Sequence, residues 1–234
     1  MATAQDRGLT KLTTKLFAPM YADFDRQLSD ALLRRDAFLD RMVWQEIPHL
    51  REDLKGKRLS IEANRYISHR LKSLGGKKAP PLRQVSIAVR HETAEALRAV
   101  VKDHNLVRDA FLNRLIALLR SSGSLLKALG LPNRVRWNRS DGTEEMPTSP
   151  LRAIEETLWD PFYYLRSACE AHYRCGLYLL EFPVEYMGLY CYLDDDQVPG
   201  TQAYKEQAKA SEAFNRLLLT DFEANLTPSK TQGA

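Results

Sequence analysis

Two short stretches of the chain alternate apolar residues with polar or small ones. Leu12, Thr14 and Leu16 alternate with Lys11, Thr13 and Lys15, and Val85, Ile87 and Val89 alternate with Gln84, Ser86 and Ala88. A period of two marks a half-buried strand. After each stretch the spacing turns helical. Ala94, Leu97, Val100 and Val101 share one face of a helix beginning near Glu92, and His104-Asn105 breaks it. Ala110, Phe111, Arg114, Leu115, Leu118 and Leu119 stripe a second helix, which Ser121-Ser122-Gly123 should stop. The earlier stretch has the same order. Pro19 suits a first helical turn, Phe24 and Leu28 give the stripe, and Leu32-Leu33-Arg34 is the turn. Phe38, Leu39, Met42 and Val43 line the second helix, which Pro48 is expected to end or kink.

The likeness extends to the residues themselves. Arg35-Asp36-Ala37-Phe38-Leu39-Asp40-Arg41 recurs as Arg108-Asp109-Ala110-Phe111-Leu112-Asn113-Arg114, an offset of 73 that also aligns Leu12 with Val85, Leu16 with Val89 and Leu33 with Leu106. This implies a duplicated strand–helix–helix unit, at 10–50 and 83–123. A lone strand cannot satisfy its backbone groups, and two short helices cannot cover its apolar face, so each unit needs the other. Antiparallel pairing would bury Leu12, Leu16, Val85, Ile87 and Val89 against four helices. The opposite face would present Lys11, Thr13 and Lys15 from one strand and Gln84, Ser86 and Ala88 from the other. A two-stranded ribbon fits the DNA major groove. There Lys can read guanine, Gln can read adenine, Ser or Thr can serve either, and a methyl group can meet thymine.

The unit, with polar residues alternating outward on the strand and Arg-Asp-Ala-Phe-Leu opening the second helix, resembles the ribbon-helix-helix superfamily of Arc/MetJ-type DNA-binding proteins. It looks like a tandem member with both copies on one chain. The resemblance implies a mainly α fold with a short two-stranded antiparallel ribbon, arranged as a tandem pseudo-dimer and followed by a mostly helical C-terminal module. It implies base reading by Lys11, Thr13, Lys15, Gln84, Ser86 and Ala88. It also implies a phosphate clamp at the start of each second helix, at Arg34-Arg35-Asp36 and Val107-Arg108-Asp109. Free N–H groups and the helix dipole favour an anion there. Asp36 and Asp109, acidic at this place, would cap the helix or weaken the clamp.

Charge sharpens this reading. The 234 residues carry a net charge of +4, but up to Gly142 there are 27 Lys and Arg against 15 Asp and Glu, and after it 7 against 15. A basic front suits a polyanion. The connector 51–82 is rich in Lys and Arg and should hold a helix from about 60 to 74, opened by Ser60 and stopped by Gly75-Gly76. Lys77 and Lys78 within it, and Arg136 beside Trp137, are read as further phosphate contacts. Ser140–Ser149 marks the boundary between a DNA-binding module, 1–142, and an acidic, aromatic-rich module, 143–234. Helices are expected there at about 151–175, continuous or broken at Asp160-Pro161, and at 201–224, with 177–193 strand or helix, helical or mixed being favoured, and 194–200 a loop. Seven of the ten tyrosines lie between Tyr163 and Tyr192, as a core or a partner surface.

Cys169, His172, Cys175 and Cys191 have ligating side chains at an unusual spacing and are read as structural residues rather than a zinc set. No nucleotide-binding or hydrolase motif is present, so no catalytic site, cofactor or metal is expected. Three cysteines, a polar start and the lack of any apolar run near 20 residues point to a cytoplasmic protein without a membrane span. The expected function is sequence-specific binding of double-stranded DNA, as a transcriptional repressor or plasmid-type accessory factor, with 143–234 serving self-association or a protein partner. The alternatives are an antitoxin whose acidic module binds a toxin, and a helical protein-interaction module that touches no nucleic acid.

Overall fold

The computed structural model describes residues 8–74, 82–120, 123–131 and 160–226. It is mainly helical, with one two-stranded antiparallel sheet. Strand β1 (Leu9–Phe17) runs straight into helix α1 (Ala18–Asp30), and α2 (Arg35–Asp53) follows after a tight turn. Helix α3 (Ile61–Lys72) opens on Ser60, whose hydroxyl accepts the Ala63 N–H at 3.0 Å. The order then repeats as β2 (Leu82–Arg90), α4 (His91–Asp103) and α5 (Arg108–Arg120). Helices α6 (Gly123–Ala128), α7 (Tyr163–Tyr173) and α8 (Gln202–Leu226) complete the described α-helices. Two compact units comprise residues 1–192 and 193–234.

The alternation in the strands is borne out in burial. Leu12, Leu16, Val85, Ile87 and Val89 all face the core. Each large apolar side chain removed from water in this way contributes about 2 kcal/mol. The two helix–helix turns are the same motif at the same repeat positions. The Leu33 N–H donates to the Leu28 carbonyl at 2.8 Å and the Leu106 N–H to the Val101 carbonyl at 2.9 Å. Leu32 and Asn105 before them take left-handed φ values of 57° and 53°. A bond of this span closing on a left-handed residue is the Schellman ending of a helix.

Several local expectations are corrected. Pro48 lies inside α2 and does not end it. It sits on the exposed side, where water can take the carbonyl it leaves unpaired, while buried Leu50 and Leu54 hold the next turn to the core. Helix α5 ends at Arg120, beside the expected stop, and Gly123 opens α6; Ser121 and Ser122 lie outside the described residues. Residues 177–193 are largely irregular, with one 3-10 turn at Val184–Leu189. Gly188 comes against the α3 backbone there, where a Cβ would stand 2.5 Å from the Leu71 Cα.

The boundary expected at Ser140–Ser149 lies outside the described residues. Residues 160–192, expected in the acidic module, belong to the same compact unit as the repeats. Polar anchors on α2 and α5 explain this. Buried Glu46 takes the Arg166 guanidinium at 2.7 Å and the Tyr178 hydroxyl at 2.8 Å, and Asp53 takes the Tyr178 N–H at 2.8 Å. Arg114, fully buried, donates to the carbonyls of Leu177 at 2.6 Å and Leu180 at 2.7 Å and lies 4.3 Å from the Phe182 ring centre. An irregular buried backbone needs such partners in place of a ladder.

In the second unit, Asp194 and Gln197 form a reciprocal cap around a short 3-10 turn, and the described side chains of α8 are exposed or half-buried. Among the described residues no helix is long and apolar enough to cross a membrane.

Candidate nucleic-acid interface

The register sets Lys11 opposite Ala88, Thr13 opposite Ser86 and Lys15 opposite Gln84. Thr13 and Ser86 hold the same place in the two repeats, so the outward rows are related end for end about this central pair. Lys11, Thr13, Lys15, Gln84 and Ser86 are exposed, and Ala88 is half-buried. Outward side chains along one strand stand roughly 7 Å apart, two residues of extended chain. That matches about two base-pair steps of duplex at ~3.4 Å each. The two ends differ in chemistry: Lys15 with Gln84 at one, Lys11 with the Ala88 methyl at the other.

A two-stranded ribbon has two outer edges with unpaired backbone groups. Here side chains of the second helices occupy them. On the β1 edge, Asp109 of α5 accepts the Lys15 N–H at 3.2 Å and the Thr14 hydroxyl at 2.9 Å. Asn113 accepts the Phe17 N–H and donates to the Lys15 carbonyl, each at 2.8 Å. On the β2 edge, Asp36 of α2 accepts the Ala88 N–H at 3.0 Å, and Asp40 accepts the Arg90 N–H at 2.9 Å and its Nε at 2.6 Å. Each second helix therefore grips the strand of the other repeat, through residues at equivalent positions. Asp36 and Asp109 turn their carboxylates to the neighbouring strand. The signal was present in the heptapeptide: Asp in its second place and Asp or Asn in its sixth lie four apart, on one helix face.

The residues assigned to phosphate fall into three groups. Arg34, immediately before α2, is exposed and makes no side-chain cap bond. Arg35 is held by protein acceptors, donating to Asp36 and to the Tyr21 hydroxyl, each at 2.7 Å. Arg108 likewise donates to Asp109 and to the Thr13 carbonyl. Lys77, Lys78 and Arg136 lie outside the described residues. Burial is the main influence raising the Tyr21 hydroxyl pKa, against the lowering effect of Arg35.

Among the described residues no group of three or more His, Cys, Asp or Glu side chains is placed to hold a metal ion. Burial pushes the Cys169 and Cys191 thiols up to about 11, which disfavours the thiolate a metal would bind. Comparison with protein-family models, with curated proteins and with solved structures found no match.

Proposed function

We propose that the chain binds double-stranded DNA in a sequence-specific manner, inserting the outward face of the β1–β2 ribbon into the major groove. The observation that carries this reading is the antiparallel pairing of Leu9–Phe17 with Leu82–Arg90, which sets Lys11, Thr13, Lys15, Gln84 and Ser86 on one exposed face. Donors and acceptors spaced along such a ribbon are what base edges need. The central Thr13–Ser86 pair, the matched Schellman turns and the crossed edge contacts support a tandem ribbon-helix-helix pseudo-dimer. The unequal ends favour a non-palindromic site, since half-sites mirror the symmetry of the protein that reads them. Arg34 and the first-turn N–H groups of α2 would meet a backbone phosphate. The reading suits a transcriptional repressor or a plasmid-type accessory factor and involves no catalysis.

DNA-affinity sequencing with the purified full chain tests this. An enriched asymmetric motif, with affinity falling as salt rises, is the expected result. No enriched motif and no salt-dependent retention of any duplex would remove the reading. On the recovered site, Lys15→Ala should reduce discrimination against random duplex by about 1–3 kcal/mol. Arg34→Ala should weaken both duplexes alike.

A further inference from the structure

Arg90 closes β2 on the outward face of the ribbon, two residues past Ala88 and opposite Leu9. Its Nε donates to Asp40 of α2 at 2.6 Å. Its guanidinium carbon lies 5.3 Å from the centre of the Trp44 ring, one helical turn further along α2. Both Asp40 oxygens are taken up by Arg90, one by its backbone N–H and the other by Nε. Among the described residues neither Nη atom of Arg90 makes a hydrogen bond, and the side chain is 42% exposed. A guanidinium fixed at Nε and stacked on an aromatic face keeps its far Nη edge preorganised for an acceptor with two oxygens. The other repeat lacks this arrangement. At the offset of 73, Arg90, Asp40 and Trp44 correspond to Phe17, Asn113 and Ala117, and Arg34 corresponds to Val107. The β2 edge thus carries two arginines where the β1 edge carries phenylalanine and valine.

We propose that Arg90 grips a phosphodiester of the DNA backbone, so that the chain holds the duplex more tightly along the β2 edge than along the β1 edge. The inference rests on the DNA reading of the ribbon. A ribbon seated in the major groove turns its outer face to the base edges and its two sides to the phosphate-lined walls. Asp40 and Trp44 belong to α2, the helix that covers the β2 edge, and they hold the guanidinium on that side. A phosphate presents the paired oxygens that two parallel Nη donors match. The Asp40 carboxylate steadies the guanidinium from behind, through Nε, and leaves the Nη edge to the phosphate. Arg34 stands by the same edge, ahead of Asp36, whose carboxylate accepts the Ala88 N–H.

The test combines Arg90→Phe with Asp40→Asn in the full chain. The pair copies Phe17 and Asn113, an arrangement this fold already accepts, and removes one positive and one negative charge together. The double variant should bind the site recovered for the wild-type chain and a random duplex alike about 10-fold more weakly. The slope of log affinity against log salt should become shallower by about 0.9, the counterion share of one phosphate. Phosphate ethylation interference should mark one flank of the site more heavily, and the variant should lose a phosphate of that flank. Trp44→Leu should weaken both duplexes, and Trp44→Phe, which keeps a ring face under the guanidinium, should restore most of the loss. Wild-type affinity and salt slope in the double variant, with Lys15→Ala still impairing discrimination, would overturn the Arg90 contact and leave the DNA reading standing. Loss confined to one base pair of the site would make Arg90 a base reader and also overturn it. Absence of DNA binding by the wild-type chain would remove both.

Discussion

Leu32 holds a left-handed φ of 57° and is 93% exposed. A leucine in that region costs about 1–2 kcal/mol, and so exposed a side chain recovers little of it by burial. Its repeat counterpart, Asn105, takes the same backbone form and donates its side-chain amide to the Leu59 carbonyl at 3.0 Å. Leu32→Asn is expected to raise stability by about 1 kcal/mol, read as a higher urea midpoint at unchanged slope. Cys169 and Cys191 ionise at about 11 in the folded chain, above their ordinary 9.0. A pKa raised by folding gives a contribution complete below the unfolded value and lost as pH rises through the folded one. Thermal midpoints should therefore fall between pH 9 and about 11, and Cys191→Ala should flatten that limb.

At the scale of elements, the ribbon is placed by crossed contacts. Asp109 accepts from both the backbone and a side chain of β1, whereas Asp36 accepts one backbone N–H of β2. Asp109→Ala should cost about 2–3 kcal/mol, since it leaves a strand N–H and a buried hydroxyl without an acceptor. Amide hydrogen exchange at Lys15 should accelerate in that variant; protection unchanged from wild type would mean the contact does not hold the strand. Strands and helices of both repeats were legible because their signals are local: the period of two in Lys11–Leu16, the stripe of Phe24 and Leu28, the cap at Ser60. Pro48 and residues 177–193 were not. Whether a helix tolerates a proline depends on which side it presents to water, and whether a chain can stay irregular depends on distant donors.

For the molecule as a whole, Arg114 is the anchor between the second repeat and residues 177–189. Arg114→Met would leave the carbonyls of Leu177 and Leu180 without their donor and should cost about 3 kcal/mol or more, measured by chemical unfolding. Loss of less than ~1 kcal/mol would show that these bonds contribute little beyond what water supplies. The same residue marks the limit of what local pattern can tell. Arg41 and Arg114 both close the repeated heptapeptide, yet Arg41 is half-buried and Arg114 is fully buried beneath the later chain. By itself the sequence determined the duplicated strand–helix–helix units and the outward row Lys11, Thr13, Lys15, Gln84 and Ser86, because alternation and helical spacing act over a few residues. Only the tertiary structure decided which Asp meets which strand edge, which of two equivalent arginines is buried, and that 160–192 joins the repeats. Those outcomes depend on unpaired donors and acceptors far apart in the chain, which find one another only when the core brings them together.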